Sequence, residues 1–341
     1  MSKAAMKFHV PEHLHASSPA EHNGSSRNDV RMMVLDRLTG EYKHDRFPEI
    51  SSYLRKGDVL VFNQSRTIPA RLTAFYKQKK IEVRLARKIK ETVWEVLIVG
   101  ASLSRGDRVQ FADSHEAQIV GTGSETPLVQ LSFELKGLAF WEFVFKYGTP
   151  IYYEYIQEPW PLADYQTVYS CSPGSVEMTS AGRAFTWKQL AELEKKGVET
   201  AFLTLHTSLS YYSNNQWPNP SYHPEAYVIP EKTKFLVQQA KREGRRIIAV
   251  GTTVVRALES AADVTGELKN LKDLSYLYVD EKHSLSVVDG LLTGFHEPEA
   301  SHLDLLKAFI NEEQLMTAYQ SAISMGYKWH EFGDVNLILE Q

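Results

Sequence analysis

The chain changes its pattern twice along its length, and that change restricts its fold more than any single motif. From Thr67 to about Leu135 it reads as short strands. IEVRLARKI alternates apolar and polar residues, and WEVLIVG, DRVQF, HEAQIVG and LVQLSFEL follow at spacings of roughly 8–12 residues, with turns such as Arg105-Gly106-Asp107 between them. Such a run predicts a small β-barrel. Before it, RMMVLDRLTGEYKHDRF predicts two strands around a Thr-Gly turn, PEISSYLRKGD a short helix closed by Gly57, and VLVFN a buried strand. After about Gly137 the pattern becomes helix, glycine, β-branched strand. FWEFVFKYG, FTWKQLAELEKKGVETAFLTLH and KTKFLVQQAKREGRRIIAVGTT follow this plan wholly or in part. The helical runs TTVVRALESAA, HLDLLKAFI and EEQLMTAYQSAISMGY follow, and DVNLILE is a last strand. The expected fold is α/β: a layered α/β main domain, discontinuous over residues 1–66 and 137–341, with a small β-barrel inserted at 67–136.

Composition narrows the class. Hydrophobic residues make up 43% and charged residues 23%, so a packed core is available. Residues 16–28 lack periodicity and are expected to form a mobile loop. No apolar run reaches the roughly 18 residues of a membrane span, and the start has no basic-then-apolar leader pattern. The single cysteine, Cys171, excludes an internal disulfide framework and a thiolate zinc site, and reads as a packing residue. A cytoplasmic monomer is expected, with no membrane partner and no metal. The formal charge of −4 means that any nucleic acid must be gripped by local patches. Two candidates are Lys77, Lys79, Lys80, Arg84, Arg87, Lys88 and Lys90, and then Lys241, Arg242, Arg245 and Arg246. Taken alone, each reads as a solvated face before it reads as an RNA site.

Four segments carry candidate chemistry. In VGTTVVRALES an apolar strand delivers Gly251, Thr252 and Thr253 to a helix start, where unpaired N–H groups suit a carboxylate or phosphate, with Arg256 one turn on. The alternative is a threonine cap with Arg256 paired to a neighbour such as Glu259. In SPGSVEMTSAGRAFT small residues, among them Ser180 and Gly182, allow close backbone approach to a ligand, or form a loop before a threonine-capped helix. NQSRTIPARL places Arg66 and Arg71 in a polar loop after a buried strand, for function or for local salt bridges. His206, His223 and His296 fall near strand ends or loops, with Glu225 two residues past His223, as candidate acids and bases or as satisfied structural groups.

These motifs, together with MVLDRLTGE, GDVLVFN, YQTVYS, FLTLH, VVDGLLTGFHEP and FGDVNLIL, resemble in order the S-adenosylmethionine:tRNA ribosyltransferase-isomerase family of queuosine biosynthesis, from about Phe8 to Leu339. The resemblance implies an α/β domain with an inserted β-barrel. It also implies transfer and isomerisation of the ribosyl part of S-adenosylmethionine onto 7-aminomethyl-7-deazaguanine at the tRNA wobble position, giving epoxyqueuosine, adenine and methionine. S-adenosylmethionine would be a co-substrate and the tRNA anticodon region the macromolecular partner.

Departures from the family pattern cluster on the candidate motifs. Where the family usually has Pro-Thr-Ala-Gly-Leu-His-Phe-Thr this chain has residues 179–186, TSAGRAFT, with Arg183 new and Ala184 replacing a histidine. After His206 a glycine-rich stretch with Arg-Pro is replaced by residues 207–214, TSLSYYSN. Pro220 replaces the first of two histidines before Glu225, and Asn-Phe-His-Leu-Pro-Lys becomes residues 294–299, GFHEPE. These changes imply an altered acceptor or lost activity as alternatives: a paralogue on the same scaffold, or a non-catalytic RNA-binding protein. Catalytic roles are expected for His206, His223, Glu225 and His296, with Glu225 orienting His223 and keeping it basic. Substrate contacts are expected from Arg66, Arg71, Ser180, Gly182, Gly251, Thr252, Thr253 and Arg256. All four acid–base candidates should converge on one pocket near Arg66 and Arg71.

Overall fold

A computed structural model describes residues 8–157, 159–212, 216–298 and 300–341. The buried strand Val59–Asn63 lies in the middle of a nine-stranded sheet. It pairs in parallel with Glu199–Leu205 on one side and Ile247–Val250 on the other, and Gly290–Gly294 continues the parallel set. Beyond it Val335–Leu339 runs antiparallel, Arg31–Asp36 parallel to that, and Tyr42–Arg46 forms the edge through the expected hairpin. At the opposite edge Glu225–Val228 and Lys272–Ser275 add antiparallel strands.

Parallel strands covered on both faces should be apolar at every position. Val59 and Val61 point into a core with Ala249, Leu291 and the helices Glu231–Arg242, Thr252–Ala261 and Glu312–Ser324. Leu60 and Phe62 point the other way, with Ile248, Leu292 and the helix Trp187–Lys196. That last helix shows the expected punctuation. Thr186 accepts from the Gln189 amide N–H in a capping box, and Gly197 ends the helix at φ +86°.

The inserted region closes as a six-stranded barrel in the order Val129–Phe133, Val93–Val99, Lys79–Lys88, Arg71–Tyr76, Arg108–Gln110, Glu116–Thr122. Closure leaves no free sheet edge. The helix Gly137–Tyr147, read from sequence with the α/β part, packs Phe140, Phe143 and Val144 into the barrel core, Phe140 stacking on Trp94. A two-stranded parallel pair, Ser65–Thr67 with Ser172–Ser175, stitches the entry into the barrel to the returning chain.

Two expectations are corrected. The short helix before the central strand spans only Ile50–Tyr53, and Gly57, at φ +91°, belongs to the turn that follows rather than to a helix cap. Residues 16–28 are not a free loop. Ala16 and Pro19 are buried, Trp160 donates to the Ser17 carbonyl, and Glu21 binds Arg183 from a short helical turn, Ala20–Asn23. Ala and Pro carry enough apolar surface to be buried without any periodicity. Among the described residues no helix is long and apolar enough to cross a membrane.

Candidate active site

A cavity of about 430 Å³ opens at the carboxyl ends of the parallel strands. This is the end at which α/β sheets commonly bind ligands, because the chain leaves each strand there in a loop. Its floor is the turn from Ile247–Val250 into the helix Thr252–Ala261, where Gly251 holds φ +99°. Thr252 and Thr253, at that helix start, line the cavity, while the Gly251 amide donates to the Leu292 carbonyl. Asn63, at the end of the central strand, fixes the neighbouring loops. Its amide donates to the Leu205 carbonyl at 2.8 Å and to Thr253 Oγ1 at 3.2 Å, and its oxygen accepts from the amides of Leu205 and Ser65.

Of the residues singled out from sequence, Ser180, His223, Glu225, Gly251, Thr252, Thr253, Arg256 and His296 line this cavity. His206, Arg66, Arg71 and Gly182 do not, so the expected convergence is only partial. His206 sits behind the wall, its Nδ1 2.7 Å from Ser65 Oγ and its ring against the backbone of Gly174. Burial, with Lys88 nearby, lowers its pKa. Arg71 donates to Glu82 at 2.6 Å and lies over the Tyr152 ring, the local salt bridge that was the alternative reading. Arg66 is exposed and reaches only the Ser170 carbonyl, at 3.5 Å. Gly182 is buried beneath Tyr169, whose hydroxyl lies 1.8 Å from where a Cβ would stand. Its missing side chain makes room for that hydroxyl, not for a ligand.

The roles expected of Glu225 and Arg256 also change. Glu225 does not orient His223. One carboxylate oxygen accepts from Arg256, and the other accepts from the Ser208 amide and hydroxyl at 2.7 and 3.0 Å. Arg256 donates further to the carbonyls of Leu277 and Ser275. Arg256 does not pair with Glu259, which accepts from the amides of residues 286–288; on the cavity wall its guanidinium is held by Glu225. The partner of His223 comes from the barrel side: Nε2 lies 3.0 Å from Glu125 and 2.8 Å from the Tyr212 hydroxyl. Burial lowers the His223 pKa, with Glu125 opposing, where the sequence reading expected a more basic ring. His296 bonds Thr293 at 2.7 Å through Nε2, and its burial drives its pKa well below the usual histidine value.

Sequence reasoning missed the carboxylates that dominate the cavity. Glu177 accepts from the Tyr153 hydroxyl and from the Ser210 amide and hydroxyl at 2.9 and 2.6 Å, and burial raises its pKa to about 7. Glu331 accepts from Tyr155 and is also raised by burial. With Glu154, Glu225 and Glu297 they make five glutamates among the described residues of the wall, against one arginine, which is bound to Glu225. Two further wall histidines are held neutral by burial, His302 at about 4 and His330 at about 3. The signal for Glu177 was present: an isolated carboxylate inside a run of small residues read as a ligand-approach loop. The departures divide in the same way. Thr179, Ser180, residues 207–211, Pro220, Gly294 and Glu297 line the cavity, whereas Arg183 is buried against Glu21 and Ala184 packs in the core. Ser213, Asn214 and Glu299, which the sequence reading included, lie outside the described residues.

Comparison with known proteins agrees with this architecture. The family model described as queuosine biosynthesis protein matches residues 3–338. The S-adenosylmethionine:tRNA ribosyltransferase-isomerase of Carboxydothermus hydrogenoformans is 37% identical, over 97% of this chain and 98% of its own. That of Caldanaerobacter subterraneus subsp. tengcongensis is 35% identical, over 99% and 100%. A solved structure, the S-adenosylmethionine tRNA ribosyltransferase from Thermotoga maritima, is 30% identical and aligns with a TM-score of 0.56 over 97% of this chain and 99% of its own. The motifs, the sheet with its inserted barrel, and these near-complete matches establish that the chain belongs to the queuosine biosynthesis family of S-adenosylmethionine:tRNA ribosyltransferase-isomerases, an enzyme family.

Proposed function

We propose that the chain transfers and isomerises the ribosyl moiety of S-adenosylmethionine onto the aminomethyl group of 7-aminomethyl-7-deazaguanine in tRNA, giving epoxyqueuosine with release of adenine and methionine. The observation that carries this reading beyond family membership is the charge of the cavity. Among the described residues Glu225 and Arg256 neutralise one another, and four further glutamates, Glu154, Glu177, Glu297 and Glu331, face it. A low-dielectric, acidic wall favours cations. The reaction brings together two: a sulfonium, and an amine that arrives protonated and must give a proton to a wall carboxylate before it adds. The methionine carboxylate would sit at the helix start by Thr252 and Thr253, which supports negative charge; the Gly251 amide itself donates to the Leu292 carbonyl at 2.8 Å.

The chemistry begins with loss of a proton from the carbon beside the sulfonium. The sugar ring opens, adenine leaves, the amine adds, and the epoxide closes as methionine departs. A base works best with a pKa near the working pH. Glu177, at about 7, meets that condition, and His296, one of the wall histidines that burial holds neutral, exchanges the second proton. His223 and Glu225 are committed to Tyr212 with Glu125, and to Arg256 with Ser208. The protein acts as a monomer in the cytoplasm, and tRNA reaches the cavity past the barrel strand that ends at Lys88, whose Ala86 carbonyl accepts from the amide of the wall residue Leu209.

The second reading, a paralogue with another acceptor, is favoured by one specific observation: residues 207–211, Gly294 and Glu297, which depart from the family pattern, lie on the cavity wall. Incubating the folded protein with S-adenosylmethionine and tRNA bearing the aminomethyl base separates the readings. Adenine release with epoxyqueuosine in the nucleoside digest supports the first. Adenine release that needs a different amine supports the second. Absence of adenine with every acceptor, alongside retained tRNA binding, supports the RNA-binding alternative and refutes the first.

A further inference from the structure

Two histidines at opposite ends of the chain meet on the cavity wall. The backbone brings them there: the Trp329 amide donates to the Leu14 carbonyl at 2.9 Å, and the Ala16 amide to the Trp329 carbonyl at 3.1 Å. His15 and His330 therefore project side by side, 315 positions apart in sequence, a separation no spacing motif would reveal. Glu297 joins them from the loop after the strand Gly290–Gly294. His330 Nε2 lies 2.8 Å from His15 Nδ1 and 3.2 Å from Glu297 Oε1. The three ligand-type atoms all fall within 4.8 Å of one another, and all three residues are partly buried.

Hydrogen bonding does not account for this convergence. His330 Nε2 carries at most one hydrogen. If it carries one, it can donate well to His15 or to Glu297, and the other contact is left between lone pairs. If it carries none, His15 can donate to it, and the carboxylate oxygen then faces a bare nitrogen lone pair. A cation among the three satisfies every contact at once. The surroundings hold the geometry. The His330 ring stacks on Tyr155 at 4.0 Å and 5°, and Tyr155 is itself anchored to Glu331. His330 adopts φ +73°, a left-handed backbone that non-glycine residues enter seldom and that concentrates at functional sites.

We propose that His15, His330 and Glu297 bind a divalent transition-metal ion, with its remaining coordination positions open to the cavity. Two imidazole nitrogens and a carboxylate oxygen suit zinc, iron, cobalt or nickel, and exclude the all-oxygen preference of magnesium and calcium. In a tetrahedral site with bonds of about 2.0–2.1 Å the ligand atoms stand about 3.3 Å apart. The contacts of 2.8 and 3.2 Å would widen by up to about half an ångström, and the His15–Glu297 pair, within 4.8 Å, would settle at the same spacing. Three protein ligands leave room for a Lewis base from the cavity, an oxygen or nitrogen of a bound molecule. The proposal is independent of the ribosyl-transfer reading, because it concerns binding of the ion alone.

The test uses the full chain, stripped with EDTA and titrated with Co²⁺. Ligand-field absorption in the visible and titration calorimetry report the site directly, without activity. The expected result is one Co²⁺ per chain, displaced by Zn²⁺, with the visible bands lost in His330→Ala and His15→Ala. Glu297→Gln, which keeps the side-chain shape, should weaken binding by at least about tenfold, the loss of one charged ligand. His296→Ala, on the same wall but outside the triad, should bind as the unmodified protein does. Circular dichroism checks folding; if a histidine variant is misfolded, Glu297→Gln decides. Failure of the folded protein to bind Co²⁺ or Zn²⁺ overturns the proposal, and so does stoichiometric binding undiminished in Glu297→Gln.

Discussion

Replacing Arg256 by methionine separates two incompatible views of this residue. As an anion clamp, Arg256 would be expendable for the fold, and its loss would weaken ligand binding alone. The structure gives it a different task. Its guanidinium is bound to Glu225 and to the carbonyls of Ser275 and Leu277, tying the helix Thr252–Ala261 to the two edge strands. Both charges are almost wholly withdrawn from water, at 11% and 8% side-chain exposure. Removing one member of a buried pair leaves the other uncompensated and typically costs about 3–5 kcal/mol. With an unfolding entropy near 2.1 cal/mol/K per residue, that loss lowers the melting temperature of this chain by about 4–7 °C. The double variant Arg256→Met/Glu225→Gln leaves no buried charge. It loses mainly two hydrogen bonds to carbonyls, about 2–3 kcal/mol together, so it should be more stable than the single variant by about 1 kcal/mol or more. Urea and thermal unfolding of the three proteins provide the measurement. A single variant that melts within about 1 °C of the parent, or a double variant no better than the single, would refute the argument.

Three further outcomes are expected. Glu177→Gln should lower turnover by about 10²–10⁴-fold. If Glu177 is the base, its carboxylate form is the active one, so the parent rate should climb as pH rises through about 7 and that limb should vanish in the variant; a surviving limb excludes it. Lys88→Ala should weaken tRNA binding and flatten its salt dependence, whereas Lys79→Ala/Lys80→Ala should change neither, because these lysines stand at opposite ends of one strand, Lys79–Lys88, roughly 30 Å apart. Gly182→Ala should destabilise the fold by about 1–3 kcal/mol in urea unfolding, since the Tyr169 hydroxyl occupies the place of the new methyl group; an unchanged midpoint would show that Tyr169 moves freely.

The scaffold was legible because its signals are local. Alternation along the barrel strands, the Thr186 cap, the stop at Gly197 and the apolar run at residues 59–62 each depend on neighbours within one element. The strand-to-helix turn at Gly251 was legible for the same reason, and it does face the cavity. The basic run from Lys77 to Lys90 was misread as one patch. Arg84 pairs with Glu82 and Arg87 with Glu95, and a strand spreads its residues over a length that a sequence window compresses. His206 illustrates a different failure. It follows a buried strand as a catalytic residue would, but Gly174 opposite it has no side chain, and the ring fills that space instead of the cavity.

Partnership between distant charges is the part a single sequence withholds, and Glu225 shows how far the reading can be pushed. The strand Glu225–Val228 alternates buried and exposed positions, with Glu225 and Tyr227 inward and Ala226 and Val228 outward. A glutamate sharing the inward face with a tyrosine cannot stay charged without a cation beside it. The helix Thr252–Ala261 likewise carries Arg256 among Val254, Val255, Ala257 and Leu258, all buried. Each residue alone announces a buried charge in need of its opposite. What joins them is the order of the sheet, which sets the antiparallel strand Glu225–Val228 beside Glu199–Leu205 and above that helix. Buried charges of opposite sign on neighbouring layers therefore constrain one another: once the sheet order is known, Arg256 is the cation that Glu225 requires, and the cavity beside them is left with the acidic character that its ligands must match.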